Sequence, residues 1–200
     1  MAIKSNDRQW GSVARTFHWL MALLIIGNGA LGLYMHELKP SMDKISIYAI
    51  HKSIGLTVLA LFLLRLSWRW FDPRPRDLPM PQWQKFAAHA AHGALYVLML
   101  AMPLSGWLFN SAHGNPLQWF KLFNLPALVE KDKPLADFFG DTHEILFWIL
   151  VTILVAHVSG ALMHHVVKRD NTLRRMLPFS RWLGSNPQPT TPSESKRSTP

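Results

Sequence analysis

The 200-residue sequence contains no cysteine at all. This absence excludes disulfide bonds, iron–sulfur clusters held by thiolates, and covalent haem attachment through Cys-x-x-Cys-His. Acidic residues are also scarce, with 12 Asp and Glu against 21 Lys and Arg, and the net charge is +9. The positive residues are spread along the ends of apolar stretches and are not gathered on one basic face. This distribution argues against nucleic-acid binding.

The sequence is rich in long apolar stretches, and hydrophobic residues make up 49% of it. Four stretches, at about residues 15–35, 48–70, 88–110 and 143–166, are each near the ~20 residues that a membrane helix requires. The sequence therefore predicts an all-α fold, an integral membrane four-helix bundle. We expect one membrane domain over residues 1–183 and a disordered, Pro/Ser/Thr-rich cytoplasmic tail over residues 184–200.

The distribution of Lys and Arg predicts the orientation of this bundle. The amino terminus, the loop after the second span and the carboxyl tail hold fifteen Lys and Arg, whereas the two opposite loops with their flanking helix ends hold six. Positive charge accumulates on the cytoplasmic side of membrane proteins. Both termini are therefore predicted to be cytoplasmic. The long outer segment, residues 111–142, is expected to lie partly at the membrane interface or over the mouth of the bundle.

Two histidines in the fourth apolar stretch, His143 and His157, stand fourteen residues apart. Fourteen helical residues make nearly four full turns and rise about 21 Å, so the two imidazoles share one face at two depths. Polar side chains are costly in the bilayer core, and a bound metal makes their burial tolerable. The spacing fits two haems stacked across the membrane. In a cysteine-free chain these are held non-covalently, as haem b.

Histidines on two other spans match these depths. His51 opens the second span on the outer side, at the level of His143, and His18 begins the first span on the inner side, at the level of His157. Depth therefore pairs His51 with His143 and His18 with His157. Each pair is predicted to supply the two axial nitrogens of one haem iron. His36 is the rival ligand for the outer haem, and His51 is preferred.

The remaining histidines have other expected roles. His113 falls in an outer loop and is expected to be solvated. His89 and His92 begin the third span on the inner side, where they are candidate ligands, partners of the haem propionates, or interfacial residues. His164 and His165 lie where the fourth span gives way to charged residues, a level that suits a quinone site better than an iron.

Several segments resemble the bacterial cytochrome b561 family, and the resemblance spans about residues 8–178. The most specific piece is the His-His-x-x-x-x-Asp-Asn-Thr-Leu pattern at residues 164–173. The matching segments are RTFHW (15–19), IHKSIG (50–55) with Arg65 and Arg69 closing the same helix, AHAAHGALY (88–96), MPLSGW (102–107), GNP (114–116), DTHE (141–144), AHVSGALMHH (156–165) and KRDNTLRRMLP (168–178).

The resemblance implies a multi-pass protein of the bacterial inner membrane with two b haems. The residues that match the family's haem ligands are His18, His51, His143 and His157, the same set that depth selects. The resemblance also implies a quinone near His164. Within the family, the chain is most similar to members that oxidise superoxide and reduce ubiquinone.

We therefore expect an oxidoreductase that moves electrons from superoxide outside to ubiquinone in the membrane, without requiring a protein partner. One alternative is a cytochrome b subunit that relays electrons between a partner dehydrogenase or hydrogenase and quinone. Another, of a different class, is a non-enzymatic bundle that binds haem or quinone.

Cationic side chains near the predicted sites are expected to hold haem propionates or to lie near the quinone. Lys52, beside His51, is also a candidate for attracting the superoxide anion. The outer segments carry six lysines against seven carboxylates, a net of −1, so any such attraction must be local. The cations expected near propionates or quinone are Arg15, Lys52, Arg65, Arg69 and Lys168.

Overall fold

Four long helices and one small hairpin form the structure, a computed structural model that describes residues 2–7, 9–76 and 78–177. The tail predicted to be disordered, residues 184–200, lies outside the described residues. The elements in chain order are α1 (Ser12–Glu37), α2 (Met42–Phe71), α3 (Gln82–Ala112), β1 (Leu117–Trp119), β2 (Phe123–Leu125) and α4 (Lys133–Val166).

Each helix is long and apolar enough to cross a membrane, with mean hydropathy over the most apolar window from 1.4 to 2.3. Helix α1 packs on α2, α2 on α3, and α3 on α4. A small buried cluster of Met21, Val58, Phe62 and Met99 joins the first three helices. Many large apolar side chains stay on the outer surface of the bundle, as lipid contact requires. The predicted all-α membrane bundle is therefore confirmed.

The predicted fourth span, at about residues 143–166, is the apolar part of a longer helix, because α4 begins at Lys133. The Asp132 side chain accepts a hydrogen bond from the Leu135 backbone N–H at 2.7 Å, and Pro134 occupies the first turn. An acidic N-cap followed by proline is a strong helix start, and it extends the helix into polar sequence that hydropathy does not detect.

The connection between α3 and α4 contains an antiparallel hairpin, in which Leu117 pairs with Leu125 and Trp119 with Phe123. Phe120 and Lys121 have φ values of 45° and 61°, the left-handed conformation that tight hairpin turns use. The hairpin packs on α2, where the Trp119 indole N–H donates to the Thr57 hydroxyl at 3.0 Å. We call this end of the bundle the hairpin end.

The opposite end, which we call the terminal end, brings together residues 2–11, the α2–α3 loop and the chain after α4. The Ser5 backbone N–H and hydroxyl donate to the buried carboxylate of Asp72 at 2.8 and 2.5 Å. Trp19 donates to the Met176 carbonyl at 2.8 Å. The three segments predicted to be cytoplasmic thus meet at one end of the molecule. Which side of the membrane this end faces stays a prediction.

Candidate functional site

Two pairs of histidines face each other across the bundle. The ring centroids of His51 and His143 are 6.3 Å apart at the hairpin end, and those of His18 and His157 are 6.3 Å apart at the terminal end. With metal–imidazole bonds of about 2 Å and ring nitrogens about 1 Å from the centroid, two imidazoles on opposite sides of one metal have centroids ~6 Å apart. Both pairs have the separation that axial ligation of one iron requires.

The donor set also fits haem better than a bare metal ion. Among the described residues, no group of three or more His, Asp or Glu side chains is close enough to hold a metal. A protein-bound zinc ion takes three or four protein ligands, whereas a porphyrin supplies four nitrogens itself and leaves two axial positions. Paired histidines without a third ligand are therefore suited to a six-coordinate haem.

Ser105 orients the ring of His143 at the hairpin end. Its hydroxyl donates to the Met102 carbonyl at 2.8 Å and lies 3.0 Å from the His143 Nδ1. A serine hydroxyl has one proton, so Ser105 accepts a hydrogen bond from Nδ1–H of His143. The proton is thereby placed on Nδ1, and Nε2 keeps the lone pair that a metal needs.

Glycines let both hairpin-end imidazoles lie directly against neighbouring helices. A Cβ added at Gly106 on α3 would come within 3.0 Å of the His143 Cε1, and one added at Gly32 on α1 within 3.3 Å of the His51 Cε1. Such distances are tighter than ordinary van der Waals contact. These two positions therefore set how closely the imidazoles approach the helix backbones.

The terminal end gathers a third histidine beside its pair. The ring centroids of His92 and His157 are 5.4 Å apart, so His92 lies next to the predicted ligand pair. Arg65 is within electrostatic range of His18, His92 and His157. A guanidinium at this place is suited to bind a haem propionate.

His164, the predicted quinone residue, is paired with Asp170 just beyond the end of α4. Its Nδ1 lies 2.5 Å from the Asp170 Oδ2, and the side chains are only 12% and 26% exposed. Burial opposes ionisation of Asp170, but hydrogen bonds from Thr172 and His164 outweigh it and hold the pKa of this carboxyl below its usual value. Asp170 is therefore an ionised acceptor at neutral pH.

Comparison with known proteins identifies the family of this chain. The family model for prokaryotic cytochrome b561 matches residues 9–179. Cytochrome b561 homolog 2 of Escherichia coli K12 is 36% identical over 186 residues, covering 88% of this chain and 95% of that protein. The chain belongs to the prokaryotic cytochrome b561 family.

Two further relatives cover most of the chain. The probable superoxide oxidase CybB of Yersinia pestis is 30% identical, covering 82% of this chain and 93% of that protein. Cytochrome b561 homolog 1 of Escherichia coli K12 is 32% identical, covering 80% of this chain and 92% of that protein. Membership of the family makes this chain a multi-pass cytochrome b561 of the bacterial inner membrane, an electron-transfer protein that binds haem b.

The cations predicted near the sites of this cytochrome b561 have specific partners. Their contacts are Arg65 over the Tyr96 ring at 5.7 Å, Arg69 over the Trp10 ring at 4.7 Å, Lys168 to the Gln84 side chain, Arg15 to the Leu177 carbonyl at 3.0 Å, and Lys52 to the Asn110 Oδ1 at 3.0 Å. Lys52 also lies 3.4 Å from the Pro116 carbonyl. Its ammonium thus bridges α3 and the start of the hairpin.

The remaining histidines make other contacts. His36 is exposed, with its Nδ1 3.6 Å from a Glu37 carboxylate oxygen. His89 and His113 are exposed and contact the backbone carbonyls four residues earlier in α3. His165 lines a cavity at the terminal end, and its buried Nδ1 has no hydrogen-bond partner in the described part of the chain.

Several residues of the site were not assigned a role from the sequence. Ser105 and Gly106 lie within the MPLSGW segment, and Asp170 within the segment after α4, so the resemblance includes them without saying what they do. Ser105 is 38 positions from His143 in the chain. No local periodicity connects residues so far apart. The only signal is their presence in the shared segments.

Proposed function

We propose that this cytochrome b561 oxidises superoxide at the hairpin end and reduces ubiquinone at the terminal end. Two superoxide anions release two dioxygen molecules and two electrons, and ubiquinone takes up those two electrons with two protons to form ubiquinol. The observation that carries the proposal is the placement of two histidine pairs at opposite ends of the bundle. The likeness to a probable superoxide oxidase supports the choice of donor.

In this proposal, His51 and His143 hold one haem at the hairpin end, and His18 and His157 hold the other at the terminal end. Haem bound at these pairs would supply one-electron carriers, between which electrons cross the apolar interior. Ser105 orients His143, and Lys52 places a positive charge beside His51 while fixing the start of the hairpin. Arg65 holds a propionate at the terminal end.

His164 acts on the quinone in this proposal. Its Nδ1 is engaged by Asp170, so Nε2 is the nitrogen free to bind a quinone oxygen. His164 lies seven residues beyond His157 on the same helix, which is nearly two turns and about 10 Å. A quinone bound there is close enough to the terminal-end pair to receive electrons and is at the level from which protons enter.

The proposal is tested on purified protein in ubiquinone-free liposomes by absorption spectroscopy. We expect two low-spin haems b per chain, reduction by generated superoxide, loss of that reduction when superoxide dismutase is added first, and reoxidation by added ubiquinone. No reduction by superoxide, together with reduction by a copurifying iron–sulfur protein, would instead indicate a relay subunit. Weak or single haem binding without reduction would indicate a non-enzymatic haem carrier.

A further inference from the structure

The chain turns back on itself immediately after α4. The N–H groups of Val167 and Lys168 both donate to the Met163 carbonyl, and the Asp170 N–H donates to the His164 carbonyl at 3.1 Å. Arg169 has a φ of 53°, a left-handed conformation that is unfavourable for a residue with a side chain. This turn returns Asp170 to the side of His164, six residues earlier in the chain.

Asp170 is held from three directions at that position. Its backbone N–H is bound to His164, its Oδ1 accepts from the Thr172 N–H at 2.8 Å, and its Oδ2 meets the His164 Nδ1 at 2.5 Å. These three hydrogen bonds restrict rotation of the Asp170 side chain. The local fold thus builds one defined carboxylate–imidazole contact.

The chemistry of the pair determines which nitrogen of His164 is available. An ionised carboxylate only accepts hydrogen bonds, so His164 must donate from Nδ1. Its Nε2 then accepts a hydrogen bond when the ring is neutral and donates one when the ring is protonated. Asp170 thus orients the imidazole and fixes its tautomer, as the aspartate does in a Ser-His-Asp triad.

A polar cavity of about 370 Å³ adjoins the pair at the terminal end. Asp170 lines it together with His165, Val166, Arg169 and Arg174. A cavity of this size and polarity is large enough for several water molecules.

We infer that Asp170 is a positioning residue for quinone reduction, which holds His164 with Nε2 toward the quinone. The inference rests on the proposed function. For each proton delivered, the Nε2–H bond of His164 breaks and an O–H bond forms on the reduced quinone, while the electrons come from superoxide. Water then returns a proton to the Nε2 of His164 before the next transfer.

The test uses four variants of the holoprotein: Asp170→Asn, His164→Ala, the double variant, and Asp7→Asn as a matched control. Asp7 is an exposed carboxylate at the same end, bound to Arg76 at 3.0 Å. After reduction of each protein by superoxide, stopped-flow spectroscopy measures its reoxidation by ubiquinone. We expect unchanged haem spectra throughout, about tenfold slower reoxidation in Asp170→Asn, at least tenfold in His164→Ala, and no change in Asp7→Asn.

The double variant distinguishes positioning from general structural support. If Asp170 acts through His164, the double variant is no slower than His164→Ala alone, because effects of residues that act as a unit do not multiply. Multiplied effects, or wild-type reoxidation in Asp170→Asn, would overturn the inference. These comparisons require that ubiquinone reoxidises the wild-type protein. If ubiquinone does not reoxidise the wild-type protein, the result counts against the proposed function and not against the role of Asp170.

A second measurement does not depend on turnover. Protein labelled with ¹⁵N-histidine and studied in the reduced state reports the tautomer of each ring, and the His164 signals are identified by their loss in His164→Ala. We expect His164 to carry its proton on Nδ1 in the wild type and to lose this preference in Asp170→Asn. An Nε2–H tautomer in the wild type would overturn the inference even if quinone reduction is confirmed.

Discussion

The two ends of the bundle hold similar histidine pairs in different surroundings. At the hairpin end, the His143 ring is bonded to a serine hydroxyl, and Lys52 is occupied by Asn110 and a backbone carbonyl. At the terminal end, an imidazole–carboxylate pair lies beside a polar cavity. This contrast matches the proposed half-reactions, because superoxide gives up only an electron whereas ubiquinone also needs protons.

The largest effect is expected from a test of which end of the bundle faces the cytoplasm. The sequence has no cysteine, so single cysteines introduced at exposed positions report accessibility without background. We expect Glu130→Cys, near the hairpin end, to react with an impermeant maleimide in whole spheroplasts. Arg74→Cys, in the α2–α3 loop, should react only after the membrane is opened. The opposite pattern would exchange the donor and acceptor sides.

Substituting one histidine of each pair distinguishes the two haem sites. We expect His143→Ala to lose or convert the haem at the hairpin end and His157→Ala to affect the other haem, since each substitution removes one of two axial ligands. Haem quantification and low-temperature absorption spectra measure the result. His113→Ala, which replaces an exposed histidine directly after α3, serves as the control and should keep both haems. The pairing is wrong if either site variant retains two wild-type spectra.

A smaller effect is expected from Ser105→Ala, which removes the acceptor for His143 Nδ1–H. Loss of such a partner commonly weakens metal binding by about 10- to 100-fold. Haem titration should therefore show weaker binding at the hairpin end alone. The control is Ser67→Ala, an exposed serine whose hydroxyl donates to the Leu63 carbonyl on α2. Equal weakening at both ends would show that Ser105 supports the bundle in general.

The sequence determined the four spans and the spacing of His143 and His157, because hydropathy and helical periodicity are local properties of the chain. Matching the depths of histidines on different spans also needed only the span boundaries. Hydropathy did not detect residues 133–142 of α4, which are more polar and which follow a capping Asp132. Local signals were sufficient wherever residues on one helix carried the information.

Only the tertiary structure decided which side chains support those histidines. The contact of Ser105 with His143 depends on how α3 packs against α4, and that of Lys52 with Asn110 on how α2 meets α3. Asp170 reaches His164 because Arg169 adopts a left-handed conformation that its residue type does not favour. Hydrogen bonds between distant positions form only after helices pack and turns close, so no periodicity in the sequence can specify them.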